Sequence, residues 1–122
     1  MTGATGGLGK AIVKALSKRS GSRIVMAVRN PQRALEYAAT LDAEGCEFHA
    51  VRLDLESLEA TEEAARSIIK LGWHIKALIN NAGVMPGSIE ITADGYEKAM
   101  QVNYLSTRRF TELRVPDVED RG

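Results

Sequence analysis

A parallel α/β fold is what this 122-residue sequence predicts. Three observations predict it: short β-branched apolar runs alternate with longer segments of helical period, a glycine-rich turn opens the first helical segment, and turn formers close the apolar runs. The first helix is predicted over residues 9–19, with Ala11, Ile12, Ala15 and Leu16 on one face and Lys10, Lys14 and Lys18 on the other. Residues 22–28 follow Gly21 as a buried strand. Asn30 then reads as an N-cap with Pro31 at the first helical position, Leu35, Ala38, Ala39 and Leu41 as an apolar stripe, and Gly45 as a stop. Residues 48–53 form the second strand. Ser57 caps a third helix that turns Leu58, Ala65, Ile68 and Ile69 inward and Glu59, Glu62, Glu63, Arg66 and Lys70 outward, with Gly72 beyond its end. Residues 76–79 form the third strand, stopped by Asn80-Asn81-Ala82-Gly83. A fourth helix should open at Thr92 and run through Tyr104. Three strands and four helices thus make one domain over residues 1–106, followed by a polar, frayed tail over 107–122.

Composition narrows the function classes. Sixteen Lys and Arg balance sixteen Asp and Glu, so no clustered positive charge marks a nucleic-acid partner or an anionic membrane. No apolar run approaches the roughly 18 residues of a membrane span, and no basic stretch with an apolar core marks a signal peptide. Cys46 is the only cysteine, which excludes an intrachain disulfide and points to a reducing, cytoplasmic compartment. Cys46, His49 and the distant His74 resemble half of a zinc site, but a second ligand pair is missing and Cys46 alternates with Phe48 as one face of a strand, so no metal is expected.

The run Thr2-Gly3-Ala4-Thr5-Gly6-Gly7-Leu8-Gly9 carries the chemistry. Its glycines let the backbone approach a ligand and turn N–H groups outward at a helix start, which suits a phosphate; the alternative is an ordinary flexible terminus. A nucleotide-triphosphate loop fails at two positions, because Ala11 follows Gly9-Lys10 and Ala4 stands where the first glycine belongs. About twenty positions beyond a dinucleotide glycine turn, a residue at the next strand's end should meet the adenosine ribose, and Arg29 stands there. A carboxylate would bond the free 2′-hydroxyl of NAD; a guanidinium suits the 2′-phosphate of NADP. NADP(H) is therefore favoured over NAD(H), and the alternative for Arg29 is a solvated residue at a strand end.

With these residues the chain resembles the short-chain dehydrogenase/reductase superfamily from Thr2 to about Ser106. Gly3, Gly7 and Gly9 match the Thr-Gly-x-x-x-Gly-x-Gly of its classical branch, while Gly3, Gly6 and Gly9 match the Thr-Gly-x-x-Gly-x-x-Gly of its extended, epimerase-containing branch. Asn80-Asn81-Ala82-Gly83, with Asp54-Leu55 and Val102-Asn103, resembles the classical branch. Ala27-Val28-Arg29-Asn30-Pro31 and Asp94-Gly95-Tyr96-Glu97 are similar to its retinol-dehydrogenase-like members. The resemblance implies a Rossmann-type doubly wound parallel sheet, present here in part. It also implies that the Gly3–Thr5–Gly6–Gly7–Leu8–Gly9 turn and Arg29 hold the cofactor, that Asp54 and Leu55 meet its adenine, and that Asn81, Ala82 and Gly83 lie along its ribose. By the same resemblance the backbone of Asn103 holds a water of the proton relay, and residues 84–91 border the nicotinamide end. Residue by residue, Asp54 can instead cap the loop before Ser57, Asn80 and Asn81 can close a turn, and Asn103 can be an exposed helical residue.

The same resemblance implies parts that are not in the sequence. Hydride transfer in this family uses a serine and a Tyr-x-x-x-Lys pair, whereas Tyr37, Tyr96 and Tyr104 are followed four residues on by Leu41, Met100 and Arg108. Only Met1 precedes the glycine turn, so the strand that leads into it, central in the order 3-2-1-4-5-6, is expected to be missing. The expectation is an incomplete cofactor-binding piece of an NADP(H)-dependent oxidoreductase acting on a small carbonyl or alcohol, marginally folded and inactive alone. The alternatives are a product that binds a dinucleotide or a full-length relative without catalysis, and a truncated reading of a longer gene with no function of its own.

Overall fold

The computed structural model describes residues 1–119. The chain forms two compact units rather than one: Met1–Arg52 with Ile79–Ala82, and Leu53–Leu78 with the chain from Gly83 onward.

The first unit is built around a parallel pair of strands. Helix α1 (Gly7–Ser17) leads to β1 (Arg23–Val28), α2 (Pro31–Ala39) crosses over, and β2 (Glu47–Arg52) pairs with β1 in a register from Arg23 opposite Glu47 to Val28 opposite Arg52. Asn30 caps α2 as the sequence predicts, its side chain accepting the Arg33 N–H at 3.2 Å with Pro31 at the first position. Ala4, Val13, Ile24, Met26, Val28, Ala34 and Ala38 form the core, with Leu16, Tyr37 and Phe48 packed against it. The buried stripe of α1 is Gly9, Val13 and Ser17, so Ala11 and Ala15 face solvent. Their short side chains lose little by exposure, whereas Val13 does not have that freedom. In α2 the buried residues are Ala34 and Ala38, and Leu35 is exposed.

On the other side of β1 stand Met1 and Thr2. Thr2 bridges to Ala27 in parallel sense, the Ala27 N–H donates to the Met1 carbonyl at 2.9 Å, and the Thr2 N–H donates to the Ile79 carbonyl at 3.0 Å. These two residues therefore occupy the place of a central strand between β1 and residue 79. The third predicted strand, residues 76–79, is not a strand: among the described residues the sheet has two strands, and a single bond to Ile79 does not make a ladder.

A close backbone contact fixes how α1 leaves this edge. A Cβ on Gly9 would lie 1.8 Å from the Gly3 carbonyl oxygen, and Gly3 itself adopts φ +68° with Asn81 Nδ2 2.8 Å from where its Cβ would be. Only glycine allows both the left-handed turn and the approach. At Gly7 a Cβ would meet nothing within 4 Å.

The second unit is helical. Ser57 caps α3 (Leu58–Lys70), accepting the Ala60 N–H at 3.1 Å, and Thr61, Ala64, Ala65 and Ile68 are buried while Ile69 is exposed. The fourth predicted helix begins late. Residues 91–97 instead form a turn, with an Ile91–Glu97 antiparallel bridge and Gly95 at φ +88°. Glu97 opens the helix, its carboxylate accepting the Ala99 and Met100 N–H groups at 2.7 and 3.1 Å. One α-turn, α4 (Lys98–Met100), runs into a π turn (Gln101–Leu105) and then into α5 (Ser106–Glu119). The backbone is thus helical to Glu119 where a frayed tail is expected from residue 107; the last part of that tail, 120–122, lies outside the described residues. α5 packs on α3, with Arg109 Nε 2.9 Å from Glu62 Oε1 and Phe110 only 1% exposed. Among the described residues no helix is long and apolar enough to cross a membrane.

Two outcomes follow for stability. Gly9→Ala should destabilise the chain by about 1–3 kcal/mol through backbone overpacking, and Gly7→Ala should leave its thermal midpoint unchanged or raised; equal losses in both would contradict the packing at Gly3. The Met1 α-amine donates to the Val25 carbonyl at 2.6 Å, and burial lowers its pKa from 8.0 to about 6. The unfolded chain therefore binds this proton more tightly than the folded one between pH 6 and 8. Folding stability of the 122-residue chain should rise across that window, by about 2–3 kcal/mol at most, and be flat above it. Denaturant titrations at pH 6 and 8, before and after N-terminal acetylation, measure this.

Candidate functional site

The start of α1 is shaped to receive an anion. The Gly6 N–H closes onto the Gly3 carbonyl at 3.2 Å, and the first intrahelical bond runs from the Lys10 N–H to the Gly6 carbonyl at 2.8 Å. The N–H groups of Gly7, Leu8 and Gly9 lie before that bond and have no acceptor within the helix. Gly6 supplies no side-chain cap. Thr5, Gly6, Gly7 and Leu8 are exposed and Gly9 is buried, so the Gly7 and Leu8 donors and the positive end of the helix dipole face solvent. The absent side chain at Gly7 leaves room for close approach of a ligand to the backbone.

Asn81 and Ala82 are bonded directly to this turn. Asn81 Nδ2 donates to the Gly3 carbonyl at 3.1 Å, and the Ala82 N–H donates to Thr2 Oγ1 at 3.0 Å. Asn81 thus acts on the glycine turn itself, beyond closing a local turn. Thr2, buried in the unit, has no role predictable from its residue type alone; its place before the first glycine is the available signal. Arg29 is exposed at the C-terminal end of β1, one residue before the Asn30 cap. Lys10, from the first turn of α1, lies with Nζ 5.2 Å from the centre of the Tyr37 ring, and the Tyr37 hydroxyl donates to the Lys10 carbonyl at 2.9 Å.

The other candidates belong to the second unit. Asp54 Oδ1 accepts the Glu56 N–H at 3.0 Å and the Asp54 carbonyl accepts the Ser57 N–H at 3.1 Å, so Asp54 does cap the loop before Ser57. Leu55 is buried, and its carbonyl accepts the Ser106 hydroxyl at 2.6 Å. Asn103 holds the segment after Gly83 at two points: Oδ1 accepts the Val84 N–H and Nδ2 donates to the Val84 carbonyl, both at 2.8 Å. A Cβ on Gly83 would lie 3.4 Å from Asn103 Oδ1. Ser106 and Gln101, both completely buried, escape the sequence reading because neither belongs to a motif.

Burial pushes the Cys46 thiol up in pKa, which favours the neutral thiol over the thiolate a metal would need. Among the described residues no three His, Cys, Asp or Glu side chains gather as a metal site.

A family model described as short chain dehydrogenase matches residues 1–122. The chain is 35% identical to mouse polyprenol dehydrogenase, covering 100% of this chain and 37% of that protein. It is 36% identical to mouse retinol dehydrogenase 13, covering 93% of this chain and 34% of that protein. The chain therefore spans about a third of the length of these curated relatives. Among solved structures, L-sorbose reductase from Gluconobacter frateurii, complexed with NADPH and L-sorbose, superposes with a TM-score of 0.77 at 27% identity, over 100% of this chain and 47% of that one. Alcohol dehydrogenase from Thermococcus sibiricus, complexed with 5-hydroxy-NADP, shares the fold at a TM-score of 0.80 and 24% identity, over 98% of this chain and 52% of that one. The parallel β1–α2–β2 unit behind a glycine turn is the local architecture of such Rossmann folds, and with the family model spanning every residue, the chain belongs to the short-chain dehydrogenase/reductase family and is similar to its retinol dehydrogenases.

Proposed function

We propose that this chain is the dinucleotide-holding part of an NADP(H)-dependent oxidoreductase that moves a hydride between the cofactor and a carbonyl or alcohol. The observation that carries the reading is the start of α1, where the Gly7 and Leu8 N–H groups, without helical acceptors, lie on exposed residues with open space at Gly7. Those donors fit a pyrophosphate, with Leu8 contributing its backbone. Arg29, exposed at the end of β1, fits the 2′-phosphate of NADP through its planar guanidinium. In the second unit the Asp54 carboxylate uses one oxygen on the Glu56 N–H; an ionised carboxylate keeps further lone pairs, which suit an adenine amino group.

When bound, the nicotinamide supplies the hydride, and the chain binds and orients it. The Asn103 side chain is held by Val84 through both its oxygen and its nitrogen, and the backbone of the π turn would hold the relay water. Beyond Val84, Met85, Ile89 and Ile91 are 96%, 85% and 66% exposed. Three large apolar side chains in one exposed segment suit a long apolar alcohol or aldehyde, in keeping with the names of the retinol and polyprenol dehydrogenases to which the chain is similar. No Tyr-x-x-x-Lys occurs in the 122 residues, so the chain by itself is proposed to bind cofactor without turnover.

Titration of the purified chain with NADPH and NADH, followed by cofactor fluorescence, tests the reading. NADPH should bind more tightly than NADH, and Arg29→Glu should weaken NADPH about 10–100-fold, as expected for loss of a charge-assisted contact, while leaving NADH nearly unchanged. Equal affinity for the two cofactors would overturn the role of Arg29, and no saturable binding of either would overturn the role of the glycine turn.

A further inference from the structure

The second unit contains a buried polar connection that neither the family motifs nor the proposed cofactor contacts include. Gln101 is completely buried. Its Oε1 is hydrogen-bonded by the Thr92 hydroxyl, and its Nε2 donates to Asp94 Oδ2 at 2.7 Å. The same Asp94 oxygen accepts the Leu58 N–H at 2.8 Å, the first amide of α3 and one of the orphan donors of that helix start. Every polar atom of the Gln101 side chain is therefore directed at holding the 92–94 turn, and through it the beginning of α3.

The π turn explains how one helix does this while also gripping Val84. It closes with the Ser106 N–H on the Gln101 carbonyl, a five-residue step. In an uninterrupted α-helix residues five apart lie about 140° apart around the axis, and Gln101 and Ser106 would not share a side. With the extra residue they do, and both are completely buried. Ser106 holds the Leu55 carbonyl at 2.6 Å; Gln101, through Asp94, holds the Leu58 N–H. The two ends of the segment 55–58 are thus fixed from adjacent positions on one helix, and Asp54 enters that segment through its bonds to the Glu56 and Ser57 amides. On the exposed side of the same π turn, Asn103 holds Val84.

We infer that Gln101 is a positioning residue: through Asp94 it sets the turn that carries Asp54 and Leu55, and through the π turn that closes on it, the grip of Asn103 on Val84. The consequence for cofactor affinity rests on the cofactor reading above; the consequence for the two backbone segments does not. Loss of the carboxamide should loosen both segments together, although Asp54 and Val84 lie on different stretches of the chain.

Amide hydrogen exchange of the full 122-residue chain, read by NMR for wild type and Gln101→Met, tests this. Methionine keeps the volume and removes both polar functions. The expected result is faster exchange, by about tenfold or more, at both the Glu56 and Val84 amides, with the Ala27 amide of the first unit unchanged. Asp94→Ala, made at an exposed position, provides the same readout if Gln101→Met does not fold. Unchanged Glu56 and Val84 exchange with only a lowered thermal midpoint would overturn the inference and reduce Gln101 to a core residue. Gln101→Met should also weaken NADPH binding about tenfold. If wild type binds no NADPH, the cofactor reading fails by itself, and the exchange rates still decide the role of Gln101.

Discussion

The carbonyl of Gly3 is the point on which the first unit depends. It accepts the Gly6 N–H and the Asn81 side chain, and it sits so close to Gly9 that a side chain there has no room. One backbone oxygen therefore closes the glycine turn, ties it to the 79–82 segment and sets the line on which α1 leaves the sheet. The exposure of the amides at Gly7 and Leu8 is a consequence of that line. A cradle made of backbone is rigid only if the backbone is packed, and here the packing is glycine against glycine, with no room for a side chain at positions 3 and 9 and open space at position 7.

The second unit solves a comparable problem with buried polar side chains. Leaving amides and carbonyls of the 54–58 turn without partners in a helical core would cost about 1–3 kcal/mol for each group. Ser106, Thr61 and Asp94 supply those partners, Gln101 holds Asp94, and the π turn supplies the register that lets Ser106 and Gln101 act from one helix. Irregular helix geometry is in this case a means of satisfying polar groups, and the Asn103 side chain uses the opposite side of the same irregularity.

Much of this was legible in the sequence, and the reasons for the misses are physical. Caps at Asn30 and Ser57 read correctly because their signal is local: a short polar side chain, a proline, a following amphipathic run. The glycine turn, Arg29, Asp54-Leu55 and the Asn80–Gly83 tetrapeptide were legible as family motifs, and the family assignment holds. Residues 76–79 read as a strand from their composition, but a strand exists only with a neighbour to bond, and composition says nothing of the neighbour. The fourth helix was expected to open at Thr92; the Asp94-Gly95 turn and the double acceptance by Glu97 move the true start to Lys98. Gln101 and Ser106 were invisible, since a buried glutamine or serine has the same letters as an exposed one and a π turn leaves no periodic trace in five residues.

Arg29 and Asn30 stand side by side and do separate work. The asparagine and the proline after it define where α2 begins through bonds that do not involve the arginine, while the arginine side chain is exposed beyond the last rung of β1. A change of charge at position 29 therefore leaves the residues of the Asn30–Arg33 cap bond in place. For a lineage, that separation makes the charge at the end of the strand an easily altered trait: one codon can change it while the helix signal that follows is left as it was.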